Sequence, residues 1–181
     1  HSERNFELKM NTIKTAFMLA CTNGRTDVVQ LLLDRSDRSI ELNARDEIEL
    51  NIRQNFGRLL IPACQYGHKD VVQILLNHSD KSIELNARDD YGRTALIWAC
   101  LIERKDVVQL LLDHSDRNID INVRDNYGRT ALMWASLNED KDIVRLIMEC
   151  SEDIDISGLE ESTEEMRSFI EMYSSKRRKI S

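Results

Sequence analysis

Asp27–Asp34 reads DVVQLLLD, and the stretch returns as DVVQILLN at Asp70–Asn77, as DVVQLLLD at Asp106–Asp113 and, loosened, as DIVRLIME at Asp142–Glu149. The copies start 43, 36 and 36 residues apart. A second marker keeps the same beat, with NARD at Asn43 and Asn86 and NVRD at Asn122. A third, T-A-x-x-x-A, starts at Thr15, Thr94 and Thr130, and RLLIPA from Arg58 stands in its place in the second interval. Three markers in phase at this period signal an array of stacked units, each too small to bury its own apolar face.

Each interval resolves into two short helices. In the third, Ala95, Leu96, Ala99 and Cys100 recur at helical spacing, and Val107, Val108, Leu110, Leu111 and Leu112 form the apolar face of a second helix. Helices of about eight to ten residues do not stand alone in water, so they must pack on each other and on neighbouring units. The Asp that opens each second helix (Asp27, Asp70, Asp106, Asp142) suits the positive end of its dipole. Between units runs a polar connector such as DHSDRNIDINVRDNYGRT from Asp113, in which Ile119 and Ile121 alternate with Asp120 and Asn122 and Tyr127-Gly128 supplies a turn. That pattern predicts a hairpin-like loop.

Composition agrees with a helical array. The 181 residues are 31% charged and 41% hydrophobic, the balance of a folded soluble protein, and 6 Gly with 1 Pro are too few turn formers for an all-β sandwich. The formal charge of −7 argues against nucleic acid or an anionic membrane surface as partner, and no apolar run approaches the ~18 residues of a membrane span. The four cysteines (Cys21, Cys64, Cys100, Cys150) are not closely paired, and no secretory signal opens the chain. They read as reduced thiols of a cytoplasmic protein. His1-Ser2 stands where Met would, which reads as the edge of an excised fragment.

Taken in order, D-x-x-G-x-T-A-L-x-x-A, then V-V-x-L-L-L, then an apolar residue and N-A-x-D resemble the ankyrin repeat over about residues 13–150. The resemblance implies an all-α solenoid of four helix-turn-helix units joined by β-hairpin-like loops, at about 14–46, 47–89, 90–125 and 126–150. A cap at 1–13, a C-terminal capping helix in 151–175 and a basic tail at 176–181 complete it. There are departures. The family's Pro after Thr is Ala16, Ala95 and Ala131, and its His two positions on is Met18, Ile97 and Met133. Its Gly at the end of the first helix survives as Gly24 and Gly67 but becomes Glu103 and Glu139. An SDRSIE-type segment replaces its Gly-Ala-Asp after the second helix, and three extra residues there give the 36-residue period.

The second unit carries an insertion, EIELNIRQNF at 47–56, where Ile48, Leu50 and Ile52 alternate with Glu49 and Asn51. It reads as a short β-ribbon, either a tolerated surface insertion or a finger that touches a partner. At the ends, Phe6, Leu8 and Met10 in Asn5–Ile13 suggest a cover for the first unit. The repeat markers stop after Cys150, and Ser162-Thr163-Glu164-Glu165 then starts a helix whose apolar stripe is Met166, Phe169, Ile170 and Tyr173. Arrays need such polar-backed terminal elements to remain in solution.

The residues offer no catalytic constellation. His78 and His114 hold equivalent places in adjacent units, roughly 10 Å apart, too far to share a metal or a proton. His68, in YGHKD, resembles the family's Gly-His that packs helix against loop. Cys21, Cys64 and Cys100 are three copies of one small core position, filled by Ser136 in the fourth unit, and no base stands beside Cys150. There is no Gly-rich phosphate loop, G-x-S-x-G or H-E-x-x-H. The reading is a protein that is no enzyme, with no cofactor, metal or small-molecule substrate.

The resemblance implies a protein partner, met in a concave groove by the hairpin tips and the exposed ends of the first helices. The tips are Arg88, Asp90, Tyr91 and Arg93, then Arg124, Asn126, Tyr127 and Arg129. The helix ends are Gln65 and Tyr66, Leu101 and Ile102, Leu137 and Asn138, with Thr22 and Asn23 in the first unit. Tyr and Arg dominate binding hot spots, and Leu101, Ile102 and Leu137 are apolar where a solvated helix end should be polar. The tyrosines also have a plain structural reading as covers for a neighbouring turn, and the arginines as solvated ion pairs. If the arginines lead recognition, an acidic or amphipathic segment is the natural complement.

Two further signals remain. KRRK at Lys176–Lys179 fits either a nuclear localisation cluster or a solvated charge run. With the former, the chain is a nuclear regulatory or scaffold factor; a pathogen or viral host-interaction protein is a third setting for the same array. The resemblance also raises hydroxylation of the hairpin asparagine (Asn43, Asn86 or Asn122), although His78 and His114 stand where the family's substrates prefer Leu.

Overall fold

In the first DVVQLLLD stretch the fold buries Val29 and Leu33, half-buries Val28 and Leu32 and leaves Leu31 exposed, whereas every apolar residue of the copy at Asp106–Asp113 is buried. The computed structural model describes residues 2–38, 57–78, 84–114, 119–151 and 153–177, with side chains for 11–34, 57–78, 84–114, 119–151 and 153–176. The 47–56 insertion, Asn43 and its NARD marker, and Arg178 and Lys179 lie outside these residues. The chain forms two compact units, His1–Glu84 and Leu85–Ser181. Among the described residues all regular structure is helical.

The first unit holds α1 (Ser2–Thr22), α2 (Thr26–Arg38), α3 (57–65) and α4 (Lys69–His78). The segment read as an N-terminal cover is continuous with the first helix of the first repeat, because α1 runs unbroken from Ser2 to Thr22. Helix α2 packs on both α1 and α4. Phe17, Ala20 and Cys21 of α1, Val29 and Leu33 of α2, Leu60 and Cys64 of α3, and Val72, Leu75 and Leu76 of α4 are buried. Full burial of a Leu or Phe contributes about 1.5–3 kcal/mol, which is how such short helices persist. The turn from α1 into α2 depends on Gly24 in the left-handed region, φ +65°. A Cβ there would lie 2.6 Å from Nδ1 of His68, whose Nε2–H donates to the Thr22 carbonyl at 2.9 Å.

The second unit holds α5 (Ala95–Leu101), α6 (Lys105–Asp113), α7 (Ala131–Leu137), α8 (Lys141–Cys150) and α9 (Glu164–Arg177). Helix α5 packs on α6 and α7, α8 packs on α6 and α7, and α9 packs on α8. The first helices start alike: Thr94 and Thr130 each accept from the backbone N–H three residues on, at 3.3 Å. Such a cap contributes about 1 kcal/mol. Asp140 caps α8 by accepting from Asp142 and Ile143, at 3.0 and 2.9 Å. Ala95 to Cys100 are buried without exception, so α5 is an interior element.

Two fingers precede α5 and α7. The Asp89 N–H donates to the Arg93 carbonyl at 3.0 Å, and Asp125 to Arg129 at 2.9 Å. Gly92 and Gly128 close each turn back onto that Asp carbonyl, 2.9 Å in both. The fingers are also tied to each other. Asn126 donates through its backbone to the Tyr91 carbonyl (2.9 Å) and through its side chain to the Asp90 carbonyl (3.0 Å).

The same order runs on past Cys150, where the sequence markers end. Asn86 Oδ1 accepts from the Asp120 N–H at 2.8 Å; one unit later Asn122 Oδ1 accepts from Asp155 and Nδ2 donates to the Asp153 carbonyl, both 2.8 Å. Thr163 then caps α9 as Thr94 and Thr130 cap α5 and α7, at 3.3 Å. Residues 153–177 therefore form a loop and helix built on the repeat's hydrogen bonds, with only Ile154-Asp155-Ile156 and the capping Thr163 retained from its sequence. Met166 and Ile170 of the expected stripe are buried, and Phe169 and Tyr173 are half-buried.

Candidate protein-binding face of the second unit

The fingers are ordered by one carboxylate each. Asp89 Oδ1 accepts from the backbone N–H groups of Tyr91 (2.9 Å) and Arg93 (2.8 Å), and Oδ2 accepts from the indole N–H of Trp98 (2.7 Å). Asp125 repeats this with Tyr127 and Arg129 (2.9 Å each) and with Trp134 (3.0 Å). Each Asp thereby fixes the turn and fastens it to the next helix. These four residues were not among the sequence candidates. The signal was present: the Asp-to-Trp spacing of nine recurs only in the two units that carry a complete D-x-Y-G-R, and Leu19 and Pro62 stand at the Trp position in the others.

Arg93 is enclosed between the two repeats. Its guanidinium carbon lies 4.6 Å from the ring centre of Trp98, 5.3 Å from Trp134, 5.4 Å from Tyr91 and 5.7 Å from Tyr127. The side chain is 13% exposed, and its charge is met by Asp125, fully buried, at 3.6 Å. That is too long for a hydrogen bond, and Nε has no hydrogen-bond partner among the described residues. Cation–π attraction of about 0.5–2 kcal/mol per contact, together with the ion pair, holds the charge in place. Arg129 continues the ladder, 4.8 Å from Trp134 and 2.5 Å from Glu161.

The other sequence-selected arginines are committed as well. Arg88 donates from Nε to the Gly92 carbonyl (3.0 Å) and from Nη2 to the Arg124 carbonyl (2.7 Å). Arg124 donates to the Gly128 carbonyl (2.7 Å), to Ser157 Oγ (2.8 Å) and to Asp155 (2.5 Å). Hydrogen bonds from the Ser157 hydroxyl and backbone N–H, and then the Arg124 guanidinium, pull the Asp155 carboxyl down to about 2. Asn138 donates to the Leu101 (3.0 Å) and Cys100 (3.3 Å) carbonyls and so joins the ends of α7 and α5. Asn86 and Asn122 have amides engaged in loop-to-loop bonds, so a modifying enzyme would first have to draw them out.

What faces solvent is a different subset. Tyr91 is 55% exposed and Tyr127 63%, each at a fingertip beside the exposed Asp90 and Asn126. Trp98, Leu101 and Ile102 fall at i, i+3 and i+4, on one side of α5, as do Trp134, Leu137 and Asn138 at α7. Leu101, Ile102 and Leu137 are half-buried. The turns that follow carry Glu103 and Glu139, both exposed and both at φ +59°. Gln65 and Tyr66 belong to the first unit, where exposed Tyr66 stacks on His68 with ring centres 6.3 Å apart.

Two of the four thiols are held in their protonated form by burial. Burial pushes Cys21 up to about 12, and burial followed by nearby Cys21 pushes Cys64 higher still, so both stay protonated at neutral pH. Cys150 is half-buried and donates to the Ile147 carbonyl at 3.0 Å. His114 Nδ1–H donates to the Leu110 carbonyl at 2.8 Å, closing the end of α6. Among the described residues no three His, Cys, Asp or Glu side chains are placed to hold a metal ion, and no helix is long and apolar enough to cross a membrane.

A family model described as ankyrin repeats (three copies) matches residues 2–89 and 60–157. The matched span begins within α1 and ends beyond Cys150, inside the loop whose hydrogen bonds continue the repeat. No individual curated protein matches the chain.

Proposed function

Since the chain belongs to the ankyrin-repeat family, whose members generally serve as protein-interaction modules, we propose that it binds another protein, without chemistry of its own, through one face of the second unit. That face comprises the fingertips at Tyr91 and Tyr127 and the half-buried Leu101, Ile102 and Leu137 at the ends of α5 and α7. The observation that carries the reading is the pair of exposed tyrosines held by Arg93 beside an apolar strip. A ring already fixed loses little side-chain entropy on binding, and fixed aromatics beside aliphatic contacts make strong anchors. Asp90, Asn126, Arg88, Arg93, Arg124, Arg129 and Asn138 support this face by shaping it, and Gln65 and Tyr66 offer separate contacts on the first unit.

The test is capture from cell extract by the full chain beside a Tyr91→Ala/Ile102→Ala/Tyr127→Ala variant whose fold is checked by circular dichroism. The expected outcome is a discrete protein retained by the native chain and lost by the variant, each tyrosine costing about 2 kcal/mol of affinity. A partner retained equally by both overturns the reading. For the whole chain we propose a cytoplasmic setting, with nuclear entry if the basic run beginning at exposed Lys176 is read as a localisation signal. Deleting residues 176–181 and following the fluorescently tagged chain in cells separates the two.

A further inference from the structure

We infer that the partner segment received by this face is basic. The inference rests on the binding face proposed above and gives its occupant a chemistry. It also reverses the charge that the arginine-rich sequence suggested.

The reason is where the charges end up. Arg93, Arg124 and Arg129 are each matched to a carboxylate inside the unit, at 3.6, 2.5 and 2.5 Å. Arg88 has two of its nitrogens on backbone carbonyls. An incoming acidic segment would have to displace these contacts. Arg93 in particular would have to leave four aromatic rings to meet it. The side chains of Asp90, Glu103 and Glu139, in contrast, are exposed and have no charged or hydrogen-bonding partner among the described residues. They sit at both borders of the strip, Asp90 beside the tyrosine tips and the two glutamates just beyond Leu101, Ile102 and Leu137.

The glutamates are also placed against local preference. Their φ of +59° is the left-handed region, where a residue with a Cβ is strained. The corresponding turns of the first unit use Gly24 and Gly67, at +65° and +69°. The second unit thus holds two charged side chains where glycine is easier, and nothing described within the chain repays it. A basic partner would supply that compensation: its ammonium or guanidinium groups meet carboxylates already facing solvent while its apolar residues cover the strip between them. Helices α5 and α7 are packed neighbours, so Glu103 and Glu139 are roughly 10 Å apart, about three residues of extended chain.

The test uses two fluorescein-labelled twelve-residue peptides with identical Leu, Ala and Ser positions, one with Lys and the other with Glu at every third residue. Each is titrated against the full chain by fluorescence anisotropy at low and high salt. The basic peptide is expected to bind saturably, at least tenfold more tightly than its acidic twin. It should weaken severalfold in high salt and in Glu103→Gln/Glu139→Gln, which keeps the backbone as it is. Equal affinities, preference for the acidic peptide, no binding of either, or indifference to the double substitution each overturn the inference. If a captured protein depends on Tyr91, Ile102 and Tyr127 while the basic peptide fails, the binding face stands and only its charge preference falls. Basic-peptide binding that survives the triple substitution instead refutes the face.

Discussion

Asp125 shows how much one carboxylate can be asked to hold. It satisfies two backbone N–H groups and an indole N–H, and it balances a guanidinium that is almost wholly enclosed. Asp125→Ala leaves that cation without its counter-ion and should cost about 3–5 kcal/mol in urea unfolding. Asp89→Ala removes the same three hydrogen bonds but no ion pair with Arg93, so it should cost less. Equal losses would show that Arg93 draws nothing from Asp125. The opposite sign is expected at Glu139. Replacing it with Gly relieves the left-handed strain and should stabilise the chain by about 1 kcal/mol, read as a rise in thermal midpoint. At this scale the sequence was only partly legible. Tyr91 and Tyr127 could be named as tip residues because the turn Gly follows each, but that Arg93 points inward was hidden. Its fate depends on Trp98 and Trp134, which come close to it only after the fingers fold back.

Among the elements, the helices were the readable part, because an apolar period of 3.6 residues survives any detail of packing. The Thr that opens the T-A-x-x-x-A marker proves to cap its helix, as at Thr94 and Thr130, so the helix starts were in the sequence. The loop between Cys150 and Thr163 was not readable, because it keeps the hydrogen bonds of a finger without the R-D-N-Y-G residues that mark one. Asp155 and Ser157 receive Arg124; IDIS at 154–157 repeats IDIN at 119–122, but the GLE that follows does not resemble VRDNYG. That junction carries a pH signature. The Asp155 carboxyl sits at about 2 in the folded chain and near the ordinary 3.9 when unfolded. Its contribution is therefore fully present above about pH 4 and is lost as pH falls from there towards 2, because the unfolded chain takes up the proton first. Asp155→Asn should lower stability at neutral pH and lose less of it between pH 4 and 2 than the native chain does. Parallel acid-unfolding curves for the two proteins would contradict this.

For the whole molecule, the repeat period announced the architecture, since markers that keep phase leave no other way to bury the helices. The alignment of the fingertips was legible for the same reason: equivalent positions in successive repeats must lie side by side. The fate of the arginines was not. Arg88, Arg93, Arg124 and Arg129 look like a basic rim when written in a line, but Arg93, Arg124 and Arg129 are matched to Asp125, Asp155 and Glu161, and Arg88 donates to two backbone carbonyls. The central claim is that a protein partner lies across the fingertips of the second unit. The most direct measurement is site-specific photocrosslinking in extract, with a benzophenone side chain placed at Tyr91, at Tyr127 and, as a control, at exposed Gln109 on α6. The account predicts that the same protein is trapped from positions 91 and 127 and not from 109. Capture from 109 alone, or of unrelated proteins from 91 and 127, would contradict it.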